Sequence, residues 1–407
     1  MATPASAPHP SSPDRRRAKI VTFLRDLNDR LTQPGQGRPG QQGQGSWATT
    51  QALSDAVGES MDRATLFRDI QALLEQGVLE ASGTTRNRLY RLNPTSPAYV
   101  QWDLSRPPFD RPLVGYNRLL LAEYVPNQTR WLTDEQRTLL YGLQHSGYAE
   151  SGAASIDPVA YRRVLNALLI DLAYASSRLE DVSISWLDTK SLIELGLRPD
   201  GLSEKEFRIV VNHKEAIQYI CDNRSSVGID RASIFDVHKL LSQGLLGNPD
   251  DEGRLRRGVV YFTESAYRPI DNPFVLAEEF EHFCSKANEI IDPLEAAVFT
   301  MAFIPYLQPF QDGNKRTSRL CMNIPLIRDG LAPFSFSQID RRDYIFGLLA
   351  FYERGRPEFL VEAFIDAYQR SAPRYVETLS VLQDGGSIGT VDIDRSGDDA
   401  ERSRPRP

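Results

Sequence analysis

From Ala296 to Ile304 the sequence is apolar almost all round. A helix without a polar face has to sit in the middle of a domain, wrapped by other elements. This stretch therefore asks for a mainly α-helical body built around it. Pro305 and Pro309 follow and are expected to end the helix, since proline lacks an N–H and clashes with the preceding turn. QPFQDGN then reads as a tight turn, with a second helix beginning near Asn314. Helical patterns run from Thr133, where TDEQ offers a capping box, to about residue 370. Strands do not alternate with helices, which argues against a doubly wound nucleotide fold.

The turn and second helix have the chemistry of an anion site. A helix N-terminus after a glycine-containing turn presents free N–H groups and positive potential. Arg316 and Arg319 are three apart, share a face, and can fork onto phosphate oxygens. Asp312 lies in the turn, where a carboxylate could hold magnesium against a phosphate. Asn314 can fix the turn or meet a phosphate through its amide. Taken alone, Asp312, Arg316 and Arg319 read more readily as a structural salt-bridge network at a helix start than as a phosphate site. The chain has no Walker-type phosphate loop.

Gln308 to Arg319, QPFQDGNKRTSR, resembles the motif of the Fic (Fido) family, His-Pro-Phe-x-Asp/Glu-Gly/Ala-Asn-Gly/Lys-Arg-x-x-Arg. Eight of its nine fixed positions match, and so long a pattern does not arise readily by chance. GRLRRGVVYFTESAYRP (253–269) is similar to the family's β-hairpin flap, which aligns the target segment. DVHKLLSQGLL (236–246) resembles a core helix, and SSRLED (176–181) the inhibitory motif Ser/Thr-x-x-x-Glu-Gly/Asn. The resemblance covers about residues 130–370. It implies a helical Fido fold binding ATP with magnesium and transferring AMP to a Ser, Thr or Tyr hydroxyl of a protein. By position it makes Asp312 the magnesium ligand. Gly313, Asn314, Lys315 and Arg316 would hold phosphates, and Arg319 the outermost one. Ser176 and Glu180, on a helix near 158–181, would be inhibitory, with Glu180 pairing to Arg319. Such domains often dimerise.

Three positions depart from the family pattern. The catalytic histidine is replaced by Gln308, whose amide cannot take a proton as imidazole can. Lys315 stands where most AMP-transferring members have glycine, as in the Doc-type branch that transfers a phosphate. Asp181 follows Glu180 in place of Gly or Asn. His213, His238 and His282 are the histidines weighed as substitute bases, and a structural role is expected for each. The functional expectation is transfer to a protein hydroxyl, restrained by Glu180 and weakened at Gln308. The alternatives are a nucleotide-sensing regulator and an enzyme removing AMP.

The N-terminal quarter has a different character. Net charge is −7 for the chain, yet residues 1–95 carry 12 Lys/Arg against 9 Asp/Glu, leaving an acidic remainder. Helical spacing over 18–31 is followed by a Gly/Gln-rich loop. Then come TTQALSDAV, MDRATLFRDIQALLEQ and an alternating GVLEASGTTRNRLYRL. Helix–turn–helix followed by a hairpin resembles a small α+β winged-helix DNA-binding domain over residues 15–95. That implies a helix at 62–76 in a major groove, with Arg63, Thr65, Arg68, Arg86 and Arg88 meeting DNA. A protein-interaction module is the other reading.

Residues 1–14 and the tail 383–407 are expected to be disordered, and 96–130 an ordered connector before a Fic/Fido domain at 131–372. No apolar run reaches about 18 residues, so a membrane span is excluded. The N-terminus has no apolar core before its arginines, and Cys221, Cys284 and Cys321 build no disulfide framework. Both point to a cytoplasmic protein.

Overall fold

The computed structural model describes residues 12–32, 47–58, 62–84, 87–144, 170–180 and 182–383. Two compact units divide the chain between Arg111 and Pro112. The stretch 96–130, expected as a connector, is shared between them. Tyr99 lies in the core of the first unit, while Leu121 and Tyr124 lie in the core of the second.

The first unit runs α1 (Ser12–Thr32), β1 (Ala48–Thr49), α2 (Thr50–Val57), α3 (Arg63–Glu75), β2 (Leu79–Ser82), β3 (Leu89–Leu92) and α4 (Pro97–Leu104). Its first helix thus takes in Ser12–Asp14, which the composition assigns to the tail. Thr49 and Asp62 cap α2 and α3 by accepting from Ala52 N and Ala64 N. On α3, Leu66, Ile70 and Leu73 are buried as the spacing requires, and Leu74 packs at the edge. The sheet has the order β1-β3-β2 and is antiparallel throughout, with Leu79 opposite Leu92 and Ala81 opposite Tyr90. Asp69 is buried on α3, and its carboxylate takes Arg16 at 2.7 Å and Arg17 at 3.3 Å. Two arginines of the basic N-terminus therefore serve the fold of this unit.

The second unit is mainly helical: β4 (Val114–Gly115), α5 (Arg118–Ala122), α6 (Asp134–Gly142), α7 (170–178), α8 (Trp186–Leu195), α9 (Glu204–Asp222), α10 (Arg231–Ser242), β5 (Tyr267–Arg268), α11 (Pro273–Glu289), α12 (Pro293–Leu307), α13 (Asn314–Cys321), α14 (Asn323–Arg328), α15 (Arg341–Arg354) and α16 (Glu358–Gln383). The capping box at Thr133 is formed. α12 is the axis, and every residue from Leu294 to Leu307 is buried. Phe299 and Phe303 pack against Trp131, Phe283 and Phe351.

Three expectations need correction here. α12 does not stop at Pro305 but runs through it to Leu307. The proline leaves the Met301 carbonyl without its helical donor, and Ser318 Oγ supplies that bond from α13 at 2.9 Å. Residues 253–266 form no hairpin ladder, and only β5 pairs, in parallel with β4. The carbonyls of Gly258 and Ile270 accept instead from the buried Arg256 guanidinium. Glu180 lies in the turn just beyond α7, not on the helix itself. Among the described residues no helix is long and apolar enough to cross a membrane.

Candidate functional site

The site is assembled where α12 hands over to α13. Gln308 ends α12 in the left-handed region, at φ 50 and ψ 57. Its Nε2 donates to the Pro305 carbonyl at 2.7 Å, and its Oε1 accepts from Asn314 Nδ2 at 2.9 Å. The same Asn314 amide donates to the Phe310 carbonyl and accepts from Phe310 N, both at 2.8 Å. Asn314 therefore knits the turn, and what it offers an incoming anion is its backbone N–H. Gly313 has φ 80, where a side chain would be strained and its Cβ would sit 3.5 Å from His238.

His238 settles under this turn. Its ring stacks on Phe310 with centroids 3.7 Å apart. Gly253 N donates to Nδ1 at 3.0 Å, so Nε2 carries the proton and donates to the Asp312 carbonyl at 3.0 Å. Burial pushes this imidazole down to about 4. Both nitrogens are engaged, so His238 shapes the turn and is not placed to collect a proton from a substrate. His213 is buried and His282 lies on α11; neither lines the cavity.

α13 begins at Asn314, and its first N–H groups have no partner within the helix. This end of the helix borders a cavity of about 780 Å³ lined by Asp312, Gly313, Asn314, Lys315, Arg316 and Arg319 from this junction. Arg316 is buried, and its Nε and Nη1 make no hydrogen bond. Its Nη2 reaches Asp312 Oδ2 at 3.3 Å. Arg319 is 1% exposed. Its Nε donates to Ser176 Oγ at 2.9 Å, and its Nη2 to Glu180 Oε1 at 2.6 Å. Glu180 Oε2 lies 3.4 Å from Arg316 Nε, so one carboxylate bridges both arginines. Burial alone would raise the Glu180 carboxyl, but the Arg319 and Arg316 charges outweigh it and hold it at about 2. Arg319 of the motif thus meets Glu180 and Ser176, 139 and 143 positions away in sequence, and Glu180 joins the motif residues on the cavity wall. Gln308 lines the same cavity.

Other contributors were hidden in the sequence. The segment 260–264 lines the cavity, as do Arg341, Arg342 and Tyr344 from α15. Arg256 is buried; its Nε donates to the Gln308 carbonyl at 2.6 Å, and its backbone N–H to Pro309 O at 2.9 Å. Glu353 of α15 holds the far end of the segment, accepting from Ser265 Oγ at 2.7 Å and Ala266 N at 3.1 Å. In the run GRLRRG three arginines look alike, and nothing local marks Arg256 as the buried one. Glu278, Glu279 and His282 also cluster, but Arg118 already pairs with both carboxylates.

In the first unit, Arg63 and Arg68 are exposed on α3, and Arg68 Nη2 donates to Thr65 Oγ1 at 3.1 Å. Arg88 lies 5.9 Å from the Tyr90 ring centroid. Arg86 and Asp181 lie outside the described residues, as does the first part of the helix expected near 158–181.

Residues 228–326 match the model of the Fic/DOC family. The chain is 27% identical over 191 residues to a protein adenylyltransferase fic-1 of Caenorhabditis elegans, covering 46% of this chain and 37% of that protein. It is 28% identical over 190 residues to a protein adenylyltransferase Fic of Nematostella vectensis, covering 45% and 43%. It thus spans less than half the length of these curated relatives. Among solved structures, Fic-1 of C. elegans gives a TM-score of 0.49 at 21% identity, covering 60% of this chain and 71% of that one. A Fic domain containing signaling protein from Bacteroides thetaiotaomicron gives 0.49 at 19% identity, covering 62% and 100%.

Proposed function

With residues 228–326 as a Fic/DOC domain, we propose that this chain binds ATP and transfers AMP to a protein hydroxyl, held in check by Glu180 and slowed by Gln308. The observation that carries this reading is the single wall made by the start of α13, Arg316 and Arg319, with Glu180 bridging the two arginines. In this reading the phosphates of ATP lie on the α13 N–H groups and on Arg316. The outermost phosphate reaches for Arg319 and must displace Glu180 to do so.

The transfer forms a bond from the hydroxyl oxygen to the α-phosphorus and expels pyrophosphate. The hydroxyl proton needs an acceptor. Gln308 cannot supply one, and its amide is already held by Pro305 and Asn314. Without a general base the rate falls about a hundredfold to ten-thousandfold. Asp312, water or the substrate itself takes the proton. Asp312 also suits magnesium: it is an exposed carboxylate at the phosphate turn, and magnesium is usually held by one or two carboxylates plus phosphates. Bound there, magnesium would neutralise phosphate charge.

Calorimetry with ATP and magnesium tests the binding. Glu180→Gly is expected to bind ATP more tightly than the natural chain. No heat with either protein overturns the reading. Label on the α- or γ-phosphate separates AMP transfer from the phosphate transfer that Lys315 brings to mind. Gln308→His in the Glu180→Gly background is expected to label itself with the α-phosphate.

A second reading, a nucleotide-sensing regulator, draws on the first unit. Its helices α1 to α3, its antiparallel sheet and the exposed Arg63 and Arg68 on α3 suit a winged helix on DNA. DNA binding that is absent even at low salt counts against it.

A further inference from the structure

His213 is fully buried on α9, outside the cavity wall. Its Nδ1 lies 2.7 Å from the Ile209 carbonyl, one turn earlier on the same helix. A carbonyl only accepts, so Nδ1 carries the proton and Nε2 offers a lone pair. The partner of Nε2 is Ser176 Oγ at 2.8 Å. The Ser176 hydroxyl must donate to it, which leaves the oxygen as an acceptor. Arg319 Nε donates to that oxygen at 2.9 Å. One backbone carbonyl thereby fixes the direction of every bond in the series. Burial, with help from the Arg319 charge, pushes the His213 imidazole down to about 3, so it is neutral around pH 7. A protonated ring would donate to Ser176, deprive its hydroxyl of an acceptor, and add a third positive charge beside Arg316 and Arg319.

We infer that His213 is a positioning residue: acting through Ser176, it sets the orientation of the Arg319 guanidinium, and so decides how that group meets Glu180 or the outermost anionic group of a bound nucleotide. The bonds join three helices, since Ser176 is on α7, His213 on α9 and Arg319 on α13. A histidine that merely filled space would need no such ordered polarity. The nucleotide part of this inference rests on the function proposed above, whereas the orientation of Arg319 does not.

The test uses the full chain carrying Glu180→Gly, with ATP and AMP titrated in magnesium by calorimetry. His213→Phe keeps the bulk and removes the acceptor. It is expected to weaken ATP about tenfold, because the Ser176 hydroxyl is no longer held and Arg319 loses its fixed aim at the outermost phosphate, and to leave AMP within about twofold. His213→Gln returns an oxygen near the Nε2 position and is expected to recover most of the ATP affinity. If His213→Phe does not fold, Ser176→Ala removes the Oγ that accepts from Arg319 Nε and carries the same expectation. Equal losses for ATP and AMP, or His213→Gln no better than His213→Phe, overturn the inference. If the parent itself takes up no ATP, the proposed function fails. The crystal structure of ligand-free His213→Phe, or of Ser176→Ala in its place, then decides. Arg319 turned from its present orientation toward Glu180 supports the inference, and an unmoved Arg319 overturns it.

Discussion

Gln308 is the residue on which local conformation and chemistry collide. It sits in the left-handed region, which costs an L-residue other than glycine about 1–2 kcal/mol, and two side-chain hydrogen bonds hold it there. Gln308→Ala keeps the strain and loses both bonds, so about 1–3 kcal/mol of stability should go in urea unfolding. Gln308→Gly loses the same bonds but sheds the strain, and should be the more stable of the two. The reverse order would show that the left-handed conformation is not what limits this position. Glu180 is the other decisive residue. Its folded-state carboxyl lies at about 2 against an ordinary 4.5, so its contribution to stability is present above about 4.5 and fades as pH falls toward 2. The stability gap between the natural chain and Glu180→Ala should therefore be widest near neutrality and shrink between about pH 5 and pH 2. A gap unchanged across that window would mean the Arg319 and Arg316 pairing does not hold the carboxylate down.

At the scale of elements, the contact between α12 and α13 explains why a proline survives inside the central helix. Ser318 Oγ completes the Met301 carbonyl that Pro305 leaves open. Ser318→Ala should orphan that buried carbonyl and cost about 1–3 kcal/mol in urea unfolding. A cost near zero would indicate that the proline needs no outside donor. This arrangement could not be read in the sequence. The apolar run announced a buried helix, but Pro305 looked like its end, because the compensating donor lies on a different element. The start of α13 was legible, since glycine and asparagine signal a turn locally. The segment 253–266 resembled a hairpin by family likeness, yet Arg256 and Glu353 replace ladder bonds with side-chain bonds. For the first unit, the proposed role of α3 predicts that Arg63→Ala and Arg68→Ala each flatten the salt dependence of DNA binding by about one unit of slope. An unchanged slope would remove α3 from the DNA face.

At the scale of the molecule, the two compact units make a separate prediction. A ligand stabilises only what it binds, by about 2.7 kcal/mol at a hundred times its dissociation constant. In calorimetric scans of the Glu180→Gly chain, saturating ATP with magnesium should raise the transition of the second unit and leave that of the first where it was. Movement of both transitions would mean that the units melt together, and movement of neither would count against nucleotide binding.

Sequence by itself determined the features that depend on near neighbours: the buried axis from Ala296, the turn at Asp312 and Gly313, the Thr133 cap, the helical period of α3, and the cationic residues facing one way at the start of α13. Periodicity, capping and glycine conformation act over a few residues, so they can be read along the chain. Only the tertiary structure decided which histidines and which arginines are buried, that Glu180 bridges Arg316 and Arg319, and that His213 stands behind Ser176. Those facts arise from contacts between residues tens to more than a hundred positions apart, and no local pattern records which distant partner will satisfy a buried donor or charge.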